Sequence, residues 1–146
     1  MLTNKAKYGL RAMSALAWLP PGESMQAHAI AEQANVPQKF LEAILVDLRH
    51  AGFVESRRGK HGGHALAKPA ETIMVGDLIR AIDGPLAPVR CASMTAYEPC
   101  SDCTDPATCS VRALMRETRA ALSSVLDRRS LLALSRADHP SIRTHT

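Results

Sequence analysis

Apolar positions in the first half of the chain recur at helical spacing and are interrupted by turn residues. Tyr8, Ala12, Ala15, Leu16 and Leu19 share one face of a helix that Thr3 can cap and that Pro20-Pro21-Gly22 stops. A second helix is predicted over 26–34, burying Ile30, Ala31 and Ala34. Asn35 suits the left-handed conformation of a sharp turn, and Pro37 suits the first turn of a third helix over 38–51. That helix carries the stripe Leu41, Ile44, Leu45 and Leu48 and ends at Gly52. The period then changes. Residues 53–56 and 64–67 read as short strands around Arg57-Arg58-Gly59-Lys60-His61-Gly62-Gly63, a basic hairpin loop. A short helix over 75–82 closes at Asp83-Gly84-Pro85. Trp18 and Phe40 read as core side chains.

Residues 88–108 have no usable periodicity and contain Pro88, Pro99, Pro106, Cys91, Cys100 and Cys103, with Cys109 just beyond. Structureless stretches of this length in a compact domain are functional or clipped together. The helical pattern returns from 110 to about 129, with Val111, Leu114, Met115, Thr118, Ala121, Leu122, Val125 and Leu126 on one stripe. A long helix with a single apolar stripe needs a partner surface, and a second copy is the expected one. The expected fold is mainly α with a small β-hairpin wing. It divides into a winged helix-turn-helix over 1–84, a cysteine-rich loop over 85–109, a dimerisation helix over 110–135 and a flexible tail over 136–146.

Composition narrows the class. With 146 residues, 46% apolar and 22% charged, the chain can bury a core and is not expected to be disordered. It contains neither the run of about 20 apolar residues that a membrane span needs nor a signal-peptide pattern, so a cytoplasmic protein without a membrane partner is expected. Nine basic residues face five acidic ones up to Pro69, whereas the remainder has nine of each. All the net positive charge therefore lies in the first half, where a polyanion would bind.

Two closely spaced helices followed by a basic hairpin are the layout of a winged helix-turn-helix, in which the second helix enters the major groove of double-stranded DNA. Gln38, Lys39 and Glu42 then lie at the reading end, where Gln can bond adenine and Glu the cytosine amino group. Arg49 is a further candidate DNA contact. Arg57, Arg58, Lys60 and His61 are placed to meet phosphates or a minor groove. A helical hairpin with a solvated basic loop, serving as an interaction module that does not bind DNA, is the bland alternative. The cysteines form Cys91-x8-Cys100-x2-Cys103-x5-Cys109. Four thiols so close in a reducing compartment point to metal or redox chemistry, and their spacing leaves an iron–sulfur cluster, zinc and no metal all open. No Ser-His-Asp set, carboxylate pair, phosphate loop or dinucleotide motif suggests an enzyme.

The sequence resembles the IscR–NsrR (Rrf2) family of winged-helix regulators. The resemblance rests on Leu2-Thr3 through Tyr8-Gly9-Leu10-Arg11-Ala12-Met13, on Ile30-Ala31-Glu32-Gln33, and on Phe40-Leu41-Glu42-Ala43-Ile44-Leu45 through Gly52-Phe53-Val54. It continues through the wing Arg57 to Leu66, through Val75-Gly76-Asp77-Leu78 to Gly84, and through the Cys103-x5-Cys109 spacing with the long helix after it. It implies a homodimeric transcription regulator, expected to be a repressor, that senses iron, redox or nitric-oxide status. The implied cofactor is a 2Fe-2S or 4Fe-4S cluster on Cys91, Cys103 and Cys109. This chain departs from the pattern in three ways. Its gap from Cys91 to Cys103 is longer and contains Cys100. Arg112 stands where the iron–sulfur-biogenesis regulator has a histidine ligand. Lys5 and Lys7 occupy the region where nitric-oxide sensors carry an acidic ligand. Cys100 is accordingly the candidate fourth ligand, and a zinc-bound or thiol-switch regulator of the same fold is the alternative. The implied dimer contacts are Val111, Leu114, Met115, Leu122 and Val125.

Overall fold

Thr3 opens the first helix as its sequence position predicts, its hydroxyl accepting the Ala6 N–H at 3.1 Å. The same hydroxyl donates to the Asp83 carboxylate, which ties the start of the chain to the end of a later helix. In this computed structural model, residues 2–60, 62–88, 90–94, 97–99, 101 and 105–137 are described. They form α1 (Asn4–Ala17), α2 (Ala27–Ala34), α3 (Gln38–His50), β1 (Val54–Arg57), β2 (Gly63–Leu66), α4 (Val75–Asp83), α5 (Ser110–Leu126) and α6 (Leu131–Ala137). Single 3₁₀ turns lie at Ala70–Thr72, Arg90–Ala92 and Pro106–Thr108.

The turn chemistry follows the sequence. Asn35 ends α2 in the left-handed region at φ 54°, and α3 starts directly after Pro37. The strands are antiparallel, with Val54 opposite Leu66 and Arg57 opposite Gly63. They sit one residue away from their predicted positions, so Arg57 belongs to β1 and the loop is shorter than expected.

The core forms where the apolar stripes meet. Met13 and Leu16 of α1, Ile30 of α2, Leu41, Ile44 and Leu48 of α3 and Leu78 of α4 are all buried in one cluster. Each such side chain is worth about 1.5–3 kcal/mol of transfer free energy. Gly9 lets α4 approach α1 closely, since a Cβ there would collide with the Ile82 Cδ1 methyl.

Two expectations are corrected. The helix predicted over 110–135 is two helices, because the chain turns at Asp127 and returns to the winged domain as α6. Leu131 is completely buried, and its N–H donates to the Ile73 carbonyl at 2.8 Å. The Trp18 indole N–H donates to the Ser135 carbonyl at 3.0 Å. Leu131 supplies the core with an apolar group that α1 and the 70–72 turn cover, which a straight helix would leave in water. Residues 136 and 137 belong to α6, and the rest of the predicted tail lies outside the described residues. Phe40 is the second correction. It is 49% exposed, packed against Tyr8 with ring centroids 6.2 Å apart and planes tilted by 31°, and approached by the Lys39 ammonium at 5.3 Å.

A forked ion pair anchors the turn between α5 and α6. Arg80 of α4 donates to both Asp127 oxygens at 2.7 and 2.8 Å. This hydrogen bond, reinforced by the opposite charge, holds the Asp127 carboxyl below its ordinary range and Arg80 above its own.

Candidate nucleic-acid interface and cysteine loop

The outward face of α3 is built by the same periodicity that buries Leu41, Ile44, Leu45 and Leu48. Gln38, Glu42, Val46 and Arg49 follow one another at helical spacing and are exposed. Gln38 Nε2 reaches Glu42 Oε1 at 3.5 Å. Glu42, Val46 and Arg49 line one wall of a groove of about 240 Å³, whose other wall includes Ala27 of α2 and Ser56 and His64 of the wing. The wing is fastened to the start of α2 through Met25 and His64, whose backbone N–H groups donate to each other's carbonyls at 2.9 and 2.7 Å. Gly63 makes this possible. Its φ is +147° and a Cβ would lie 2.5 Å from the Met25 carbonyl oxygen.

The basic residues of the wing differ in what they do. Arg57 donates to Glu55 at 2.7 Å and to the Gly22 carbonyl at 2.5 Å, so its guanidinium is directed to its own chain. Arg58 and Lys60 are exposed, and Lys60 borders a second groove with Ser24 and Gln26 just ahead of α2. Lys39 is exposed at the start of α3. His61 lies outside the described residues. Sequence reasoning missed Val46 and Ser56. The signal for Val46 was an apolar residue off the buried stripe of α3, which supplies a methyl surface suited to thymine. His64 has its pKa lowered, first by burial and then by the Arg49 charge, so it is neutral at pH 7.

Cys91 is buried within the 90–92 turn, and Cys109 is the cap residue of α5. The Arg112 N–H donates to Cys109 Sγ at 3.5 Å, and Arg112 Nε donates to the Cys91 carbonyl at 2.9 Å. The N–H groups of a helix start complement the charge of a metal-bound thiolate, so this half of the donor set fits a thiolate-ligated centre. Cys100 and Cys103 lie outside the described residues. Among the described residues no three His, Cys, Asp or Glu side chains gather at one point. Along α5, Val111, Leu114, Leu122 and Val125 expose 61, 56, 40 and 58% of their surface, while Met115 is half-buried.

A family profile named Rrf2 and described as "Iron-dependent Transcriptional regulator" matches residues 2–137. The chain belongs to the Rrf2 family. An rrf2-like HTH-type transcriptional regulator of Rhodobacter capsulatus is 40% identical over 98% of this chain and 97% of its own. An HTH-type transcriptional regulator of Mycobacterium tuberculosis is 38% identical over 89% of this chain and 78% of its own. Among solved structures, CymR, the global cysteine regulator of B. subtilis, superposes with a TM-score of 0.75 at 33% identity, covering 93% of this chain and 96% of that one. IscR of T. potens superposes at 0.74 with 26% identity, covering 97% and 90%.

The Rrf2 assignment fixes the broad activity. This chain is a transcriptional regulator with a DNA-binding winged-helix fold, and the family and its relatives are regulators and not enzymes. Among the described residues no helix is long and apolar enough to cross a membrane.

Proposed function

We propose that this chain is a homodimeric, cytoplasmic repressor whose operator binding is governed by an iron–sulfur cluster on the cysteine loop. In this reading Gln38, Glu42, Val46 and Arg49 read bases, while Lys39, Arg58, Lys60 and His61 meet phosphates. The cluster ligands are Cys91, Cys103 and Cys109, with Cys100 as the fourth, and residues 85–109 act as the sensing unit between the winged domain and the dimer helix. One observation carries it. Cys109 caps the helix that bears the exposed apolar stripe, and Arg112 ties Cys91 to the same turn. When bound, a cluster supplies redox-sensitive metal–thiolate bonds, and the chain's own contribution is to join those bonds to the root of α5. Coupling of this kind shifts DNA affinity by about 1–3 kcal/mol.

A second reading has its own support. CymR is described as a cysteine regulator, and the S. aureus homologue, which superposes with a TM-score of 0.70 at 32% identity, was solved in an oxidized form. A thiol switch or a zinc site would use the same cysteines without iron. Anaerobic purification followed by iron, acid-labile sulfide and zinc analysis separates the readings, with operator binding measured on the loaded, stripped and oxidised forms. The cluster reading expects iron and sulfide in matching amounts and a change in DNA affinity on their removal. Iron-free protein whose DNA affinity responds only to thiol oxidation favours the switch.

A further inference from the structure

Arg112 holds the cysteine segment at several points. Nε donates to the Cys91 carbonyl at 2.9 Å and Nη1 to the Pro106 carbonyl at 3.3 Å. The guanidinium lies over the Tyr97 ring, 5.6 Å from its centroid. The backbone N–H of the same residue donates to Cys109 Sγ at 3.5 Å. A single residue in the first turn of α5 therefore grips the loop near its start, in its middle and at its end.

The chemistry of that grip needs neither metal nor oxidation. Carbonyl oxygens only accept, a guanidinium only donates, and proteins do not deprotonate it. The hold on the Cys91 and Pro106 carbonyls therefore persists whatever the state of the thiols. Lysine could reach one carbonyl but lacks the planar fork that serves two acceptors while stacking on a ring. Histidine is too short to span from α5 to both carbonyls.

We propose that Arg112 is a metal-independent clasp that closes the cysteine loop and presents Cys91 and Cys109 together before any metal arrives. It is a positioning residue, and it takes a place that the family resemblance assigns to a ligand. Closing a loop of seventeen intervening residues costs conformational entropy. A loop already closed by Arg112 spares metal binding most of that cost. What binds the thiols rests on the sensor reading above, but the clasp does not.

The test uses the full-length chain, reduced and metal-free, with hydrogen exchange followed by mass spectrometry. Arg112→Ala should speed exchange across residues 91–94 and 106–112 by on the order of tenfold, the effect of losing charged hydrogen bonds. The amides of α1 to α4 should not change, which also reports that the domain is folded. Arg112→Lys, which keeps the charge and the helix propensity, should fall between Ala and the parent. Anaerobic titration with Co²⁺, read by its thiolate charge-transfer absorption, should show roughly tenfold to hundredfold weaker binding in Arg112→Ala. The absorption at saturation should stay the same, because the ligands are intact. Unchanged loop exchange in both variants overturns the clasp. So does an Arg112→His variant that matches the parent's loop protection. If the parent binds neither Co²⁺ nor iron while the exchange difference holds, the metal reading fails and the clasp stands.

Discussion

Arg57 directs its guanidinium to its own chain, bonding Glu55 and the Gly22 carbonyl, whereas Arg58 and Lys60 extend from the wing into solvent. A phosphate contact releases counterions, and each one lost flattens the dependence of log K on log salt by about one unit. Arg58→Ala and Lys60→Ala should each show that change on any DNA sequence. Arg57→Ala should change the slope by less than half as much and lower thermal stability slightly, since an exposed ion pair is worth about 0.2–1 kcal/mol. Fluorescence anisotropy across a salt series checks both, and equal slopes for all three variants would reverse the assignment. His64 adds a pH term. It faces Arg49 and Glu42 across the groove and lies beside Ser56, whose Oγ is 3.3 Å from its Nδ1, and burial together with Arg49 depresses its pKa in the DNA-free protein. Bound phosphates act in the opposite direction and favour the charged ring, so the complex takes up a proton. DNA affinity should rise as pH falls through and below about 6.5, the ordinary histidine value, and His64→Gln should flatten that rise. For folding the sign is reversed. The unfolded chain binds this proton more readily, so His64 lowers stability below the same pH and has no effect above it.

At the scale of elements, most of the winged domain was legible, because each of its helices carries its own stripe and its own stop. Thr3, Asn35, Pro37 and Gly52 mark boundaries by local chemistry, and local chemistry does not depend on tertiary partners. The break after α5 had no such mark. Asp127-Arg128-Arg129-Ser130 contains neither Gly nor Pro, and the apolar residues after it continue a helical count. What ends α5 is long-range, namely the Arg80 fork on Asp127 and the exchange of backbone hydrogen bonds between 73–75 and 129–131. Phe40 was misread for a related reason, since hydrophobicity alone does not say which face of α3 meets α1. The site was legible as a set of elements and less so residue by residue, because the wing strands decide which α3 side chains share a groove. The return of α6 makes a firm prediction. Leu131→Ala removes a fully buried side chain and should cost about 2–5 kcal/mol, visible as a lower midpoint in urea. A loss below 1 kcal/mol would mean that α6 is docked only loosely.

Across the whole molecule, α5 is the one long helix with no buried residue among those described. The distance from Val111 to Val125 along it is about 21 Å at the standard rise of 1.5 Å per residue. Val111, Leu114, Leu122 and Val125 recur at three- and four-residue multiples over that length, the spacing by which two helices pack along a shared seam. A second copy satisfies the stripe by symmetry, as each molecule offers the same face that it requires. In the proposed dimer this pairing would also set the DNA geometry, with two α3 helices meeting major grooves about one helical turn, some 34–36 Å, apart. Val125→Glu and Leu122→Glu place charge in that seam without touching the core of the winged domain. Each should convert a dimer to a monomer at micromolar concentration, as read by sedimentation velocity, with the circular dichroism of the winged domain retained. Binding to a full palindromic operator should weaken by about a hundredfold or more as the two linked contacts become independent, while binding to an isolated half-site should be unchanged. A parent protein that sediments as a monomer, or charged variants that remain dimeric, would move the interface away from α5. In that case the cysteine loop at its root would have to control DNA binding by some route other than the angle between two subunits.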